Sequence, residues 1–106
     1  FPASAMKVPA EDLPAVSEAS HAVIREAKAA GVYVFGGGMN SAVASVMVAA
    51  DGSVTSETYR ETRELDGGFC VLELPSRDAA VQWAAKLAAS CRCPQELREF
   101  YFDPES

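Results

Sequence analysis

Positions in the first third of the chain recur at the spacing of one face of an α-helix. That face comprises Leu13, Val16, Ser20, Val23, Ile24, Ala27 and Ala30. Spacing by three and four residues predicts an amphipathic helix that buries this face. Pro14 falls in the first turn, where its missing N–H costs nothing, and Gly31 follows as the residue that ends the helix.

Two strand patterns and a hairpin signal follow this helix. Val32–Phe35 is β-branched and aromatic, which predicts a strand, and the three glycines Gly36–Gly38 predict a turn after it. Ala42–Ala49 alternates small or polar residues with apolar ones, which predicts another strand. The Asp-Gly pair at positions 51 and 52 predicts a hairpin whose second arm is Ser53–Ser56.

The second half of the chain continues with strand and helix patterns. Tyr59–Asp66 is charged and predicts a turn or one helical turn, and Phe69–Leu74 predicts a strand. Ser76 is the predicted N-cap of a second helix, Arg77–Ala89. The apolar face of this helix comprises Ala80, Trp83, Ala84 and Leu87. Leu97–Phe102 alternates and is predicted to form a closing strand.

These elements predict an α+β fold in one domain, 1–106. Both helices are expected to pack on one face of an antiparallel sheet, since several strands lie between the helices. If a further strand precedes Phe1, the order becomes a ferredoxin-like split βαβ. We therefore expect the first strand of the domain to lie before Phe1 or to be truncated.

Charge and cysteine content narrow the classes of function. The net charge of −6 disfavours a nucleic-acid partner, because an acidic surface repels phosphate. The three cysteines, an odd number, and a start without a basic-then-apolar leader favour a reducing compartment, the cytoplasm. The uncharged run 29–50 is long enough to span a bilayer, but its glycines predict two strands, so no membrane partner is expected.

A series of short motifs runs along the chain in a characteristic order. They are the strand end VYVFGGGM at 32–39, the hairpin at 51–52, Glu61–Glu64, Gly67–Phe69 and the helical segment Ala79–Ala84. In this order and spacing they resemble the YCII-related family, specifically its DGPF branch. The resemblance covers nearly the whole chain. It implies a ferredoxin-like subunit whose sheet pairs with a second copy, giving a homodimeric α/β barrel.

The resemblance also implies a pocket near the dimer interface, where some members carry a His and an Asp as a proposed acid–base pair. This chain departs from that pattern, because Ser56-Glu57-Thr58 stands in place of the Asp-Gly-Pro triplet and only Tyr59 keeps the aromatic residue. A serine cannot act as a carboxylate base. Glu57 does not simply substitute, since neighbouring side chains of a strand point to opposite faces.

His21, the only histidine, is the candidate catalytic residue, because histidine transfers protons near neutral pH. It lies on the flank of the first helix's apolar face, where it either edges a pocket or meets water. Ser56, Tyr59 and Arg63 are the candidate ligand-binding residues. Their polar segment is either a solvated turn or a pocket rim in which Arg63 pairs with an anionic ligand.

Neither a metal nor a cofactor is expected. Cys91 and Cys93 are close in sequence, but zinc normally needs four ligands and the remaining Cys and His are isolated. The glycine triplet Gly36–Gly38 precedes a strand pattern, whereas a dinucleotide fingerprint leads into a helix.

Our leading hypothesis is a cytoplasmic homodimer that binds a small organic molecule in a cleft near the dimer interface. One alternative is a lyase or isomerase that uses His21 as its acid–base residue. The other alternative is a non-catalytic structural or regulatory module.

Overall fold

The structure is a computed structural model that describes residues 1–106. Three short 3₁₀ turns accompany the helices and strands, at Ala3–Ala5, Ala10–Asp12 and Arg60–Thr62. In chain order the elements are α1 (Leu13–Ala29), β1 (Tyr33–Gly38), β2 (Met47–Val48), β3 (Val54–Thr55), β4 (Gly68–Leu72) and α2 (Arg77–Cys91). Two helices and small antiparallel sheets confirm the predicted α+β class.

The first helix follows its sequence pattern. Val16 and Ala27 of its apolar face are buried and Ser20, Val23 and Ile24 are half-buried, whereas Leu13 and Ala30 at the two ends of this face are exposed. Gly31 adopts φ +74°, a left-handed conformation that favours glycine, and it follows the last helical turn as predicted.

β1 and β4 form an antiparallel two-stranded sheet, and the predicted turn at Gly36–Gly38 is wrong. The glycines continue β1 and pair with the first half of β4, with Gly36 opposite Cys70. None of the three has a positive φ. A Cβ on Gly36 would lie 3.0 Å from the carbonyl oxygen of Phe69. Glycine at this position therefore allows the backbones of β1 and β4 to approach closely.

β2 and β3 form a separate hairpin rather than a continuation of the first sheet. The predicted Asp-Gly turn is confirmed: Gly52 has φ +86°, and the Asp51 carboxylate accepts a hydrogen bond from the Ser53 N–H at 2.9 Å. The predicted strand Ala42–Ala49 is reduced to Met47–Val48. Its first residues instead belong to a turn in which the Asn40 side chain accepts a hydrogen bond from the Ala42 N–H.

The second helix begins at its predicted cap and contacts the first. The Ser76 hydroxyl accepts a hydrogen bond from the Ala79 N–H at 3.1 Å. Its predicted inward face is half-buried, and Trp83 also carries the Lys86 ammonium over its ring. The helix extends two residues past the predicted end, to Cys91. Lys86 forms an ion pair with Glu26 of α1.

The predicted closing strand Leu97–Phe102 is absent. Residues 94–102 make no backbone–backbone hydrogen bond. An alternating pattern supplies one apolar face, but a strand also needs a neighbouring backbone to pair with. In the single chain no strand pairs with this segment, and Phe100, Tyr101 and Phe102 are 78%, 100% and 92% exposed.

The molecule is flat and open for its size. Only Val16, Ala27 and Cys93 are buried, although 49% of the residues are apolar. Its radius of gyration is 15.9 Å, where a compact domain of this length has about 13 Å. No helix combines the length and apolar character needed to cross a membrane.

Candidate functional site

A polar depression lies at the 3₁₀ turn that precedes β4. The turn spans Arg60–Thr62, and the Tyr59 carbonyl accepts hydrogen bonds from both the N–H and the hydroxyl of Thr62. The depression has a volume of about 640 Å³ and is lined by Arg60, Glu61, Arg63 and Glu64. Its wall is therefore made only of charged side chains.

Two of these side chains are cations on the same side of the turn. Arg60 and Arg63 are three residues apart, and Arg63 keeps helical dihedral angles at the end of the turn. Residues at this spacing eclipse one another in a 3₁₀ turn. Neither arginine takes part in an ion pair, whereas Arg25, Lys86, Arg92 and Arg98 each do. The two free guanidinium groups are suited to bind a carboxylate or a phosphate.

A second, larger cleft of about 880 Å³ runs beside β4. One wall is β4 with the segment that follows it, the floor includes one face of α2, and the far wall is the C-terminal segment that starts at Gln95. Its apolar lining includes Val71, Leu74, Ala84, Leu87 and Leu97. The cleft is thus lined along the whole of β4, from Gly68 to Leu72.

The predicted site residues are not gathered in one place. His21 is exposed on α1, makes no hydrogen bond through its side chain and lines neither cleft. Ser56 is exposed after β3, and Tyr59 is 66% exposed directly before the turn. Of the four predicted residues, only Arg63 lines the polar depression.

The sequence did not predict that Arg60 and Arg63 lie on the same side of the turn. The signal was present in the spacing of the segment Arg60–Glu64, because a 3₁₀ turn brings residues three apart to one side. The aromatic pair of Phe35 and Phe69 was not predicted either; its ring centroids lie 5.8 Å apart on β1 and β4. Both rings remain about half exposed, which leaves an aromatic patch on the sheet.

The three cysteines are free thiols. Burial raises the pKa of the Cys70 thiol, and burial together with the nearby Cys91 raises the pKa of Cys93. A raised thiol pKa reduces the fraction of nucleophilic thiolate at neutral pH. Nowhere do three His, Cys, Asp or Glu side chains converge in an arrangement that could hold a metal ion.

Comparison with known proteins identifies one family. The family model described as the YCII-related domain matches residues 2–90. No curated protein and no solved structure matches the chain. The matched range includes both helices almost entirely, the β1–β4 sheet and the polar depression.

Proposed function

Because the chain belongs to the YCII-related domain family, we propose that it acts as a homodimer that binds a small organic acid near the dimer interface. The observation that carries the ligand class is that Arg60 and Arg63 form no ion pair in the polar depression, although Glu61 and Glu64 line it too. Two neighbouring guanidinium groups match the planar, doubly accepting geometry of a carboxylate.

The exposed surface supports the dimer. The single chain exposes 8315 Å², while a folded monomer of this mass exposes about 5,700 Å². Obligate dimers bury about 2,000–5,000 Å² counted over both chains, so the excess of roughly 2,600 Å² in each chain is large enough for such an interface. The half-exposed rings of Phe35 and Phe69 contribute to the exposed surface. They are suited to the centre of an interface, where aromatic residues are enriched.

Three free thiols support a reducing compartment, the cytoplasm, as the place where this dimer works. Tyr59 directly precedes the turn and is 66% exposed, so its ring is available to an apolar part of the ligand. A ligand with a carboxylate and a small apolar body would use both features. Ser56, exposed at the start of the connection from β3 to the turn, is the third proposed ligand contact.

Ligand binding is tested by thermal unfolding with a panel of small carboxylic acids and their neutral amides. An acid at ten times its Kd stabilises the protein by about 1.4 kcal/mol, which raises Tm by about 6–10 °C in a domain of this size. The amides should give no shift. Arg63→Gln should abolish the shift, while Arg98→Gln, which removes an exposed arginine outside the depression, should retain it.

A panel in which no acid raises Tm would contradict the ligand class. So would equal shifts for acids and amides, since the amides carry no charge for the arginines to pair with.

The oligomeric state is tested by sedimentation equilibrium across a hundredfold range of concentration. We expect the mass of two chains, with a Tm that rises with concentration, because association stabilises the folded state by mass action. Phe35→Glu should weaken the dimer by placing a charge in the aromatic patch. Val43→Glu is the matched control, because Val43 is similarly exposed but lies in the turn region before β2. A single-chain mass at every concentration would contradict the dimer.

A further inference from the structure

The wall of the polar depression carries both signs of charge. Its four lining side chains are Arg60, Glu61, Arg63 and Glu64, and no apolar residue joins them. Two positive and two negative charges therefore line one volume of about 640 Å³. The organic acid proposed above accounts for the two arginines but not for the two glutamates.

The opposite charges alternate along the turn and do not neutralise one another. Each arginine is followed directly by a glutamate, at positions 60–61 and 63–64. In a 3₁₀ turn, which has three residues per revolution, successive side chains point about 120° apart. In keeping with that divergence, none of the four side chains forms an ion pair. Both kinds of charge thus remain available to a ligand.

A ligand with a single charge is a poor match for this wall. A simple anion that approaches the guanidinium groups also approaches the carboxylates, and like charges close together oppose binding. The net charge of −6 on the chain adds to this repulsion at longer range. A cation meets the same difficulty with the arginines, and the two glutamates are not joined by a third side chain that could help them hold a metal ion.

We propose that the depression recognises a small zwitterion of the α-amino acid type. Its carboxylate contacts Arg60 and Arg63, and its ammonium group contacts the glutamates that follow them. This inference rests on the organic-acid site proposed above and specifies the acid. An α-amino acid carries both charges on one carbon, which suits a wall where opposite charges belong to adjacent residues.

The glutamates then determine specificity, because they favour acids that carry an ammonium group over acids that do not. The net charge of such a ligand is zero, so the acidic surface of the chain does not repel it.

The first test compares free amino acids with derivatives that lack one charge. The twenty standard amino acids are screened by thermal unfolding, and those that raise Tm are measured by isothermal titration calorimetry beside their N-acetyl and α-amide derivatives. Acetylation removes the ammonium charge, and amidation removes the carboxylate charge. Each derivative should bind about fivefold more weakly than the free amino acid, the upper end for one exposed ion pair. The N-methyl derivative keeps both charges, so it controls for bulk on the nitrogen and should bind like the free amino acid.

The second test removes the negative charges of the wall. The double variant E61Q/E64Q should bind the free amino acid about fivefold more weakly, because the ammonium group loses its partners. The same variant should bind the N-acetyl derivative more tightly, because the carboxylate loses its like-charged neighbours. Opposite changes for two ligands cannot come from a variant that is merely less stable. Glu99→Gln is the matched control, since Glu99 is exposed and lies outside the depression, and it should change neither affinity.

The zwitterion and the acid site fail in different ways. If simple carboxylic acids raise Tm and no amino acid does, or if N-acetyl derivatives bind as tightly as free amino acids, the zwitterion is overturned and the acid site stands. Unchanged affinities in E61Q/E64Q would also overturn the zwitterion alone. If neither amino acids nor simple acids raise Tm, or if the α-amides bind as tightly as the free amino acids, both proposals are overturned.

Discussion

The Arg92 guanidinium lies 2.8 Å from the Asp12 carboxylate, measured between Nη1 and Oδ2, and joins the end of α2 to the start of α1. Arg92 also ends α2 in a left-handed conformation, with φ 55°, and is the only non-glycine residue with positive φ. One residue therefore combines an unfavourable backbone conformation with a contact between helices. The ion pair is half exposed, which limits its contribution to about 0.2–1 kcal/mol.

Substitution at Arg92 should separate these two effects. Arg92→Ala and Arg92→Gly both remove the ion pair, but glycine adopts the left-handed conformation without the steric cost that alanine keeps. We expect Arg92→Gly to be about 1 kcal/mol more stable than Arg92→Ala in urea unfolding. Equal stability of the two variants would show that the backbone conformation at this position carries no cost.

The cap of α2 should contribute measurably to stability. Ser76→Ala removes the acceptor for the Ala79 N–H and should lower the free energy of unfolding by about 1 kcal/mol. Ser17→Ala is the control, because Ser17 is exposed within α1, where alanine is the better helix former. Urea unfolding of both variants measures the difference. A Ser76→Ala variant as stable as Ser17→Ala would contradict the capping role.

Glycines of the β1–β4 sheet should differ sharply in their tolerance of alanine. A Cβ on Gly68 would lie 2.8 Å from the Gly37 carbonyl oxygen, a backbone atom that cannot move alone. Gly68→Ala should therefore cost about 1–3 kcal/mol in chemical unfolding. Gly37→Ala is the matched control on the facing strand, since a Cβ there meets no atom within 4 Å, and it should change stability by less than about 0.5 kcal/mol.

The hairpin turn should show a pH dependence centred on Asp51. Hydrogen bonds from Ser53, through its side chain and its backbone N–H, lower the pKa of Asp51 below its ordinary value of 3.8. A depressed pKa in the folded state means that the stabilisation is complete above the ordinary pKa and is lost as pH falls through the folded value. NMR titration of the Asp51 carboxyl carbon should give an inflection below 3.8.

Ser53→Ala should move that inflection upward, because it removes the largest of the causes that lower the pKa. Ser56→Ala, which changes a serine outside the turn, should leave the inflection where it is. An unshifted inflection in Ser53→Ala would assign the effect to the backbone alone.

Local signals predicted the helices and the hairpin turn well. Spacing on α1, the Ser76 cap and the Asp-Gly pair each act within a few residues, so the sequence contains all of the interactions that they need. The extension of α2 to Cys91 was missed, because the helix ends on a left-handed Arg92 and not on a glycine. The motifs from the glycine strand to the second helix also identified the family correctly.

Strand boundaries and the site depended on contacts between distant residues. Gly36–Gly38 have the composition of a turn, yet they form a strand because β4 lies close enough to pair with them. Ala42–Ala49 and Leu97–Phe102 have the composition of strands, yet most of the first and all of the second lack a neighbouring backbone. Arg63 was predicted as a ligand contact. That Arg60 lies on the same side of the chain as Arg63 followed only from the 3₁₀ turn.

By itself, then, the sequence determined the amphipathic faces, the helix ends that carry caps or glycines, the tight turn and the family. These depend on backbone conformation and side-chain spacing within a few residues. Only the tertiary structure decided which strands pair, how open the single chain is, and that β4 lines a cleft together with an unpaired aromatic segment. Those features depend on which backbones meet across the fold, because a strand is stable only where a second strand satisfies its hydrogen bonds.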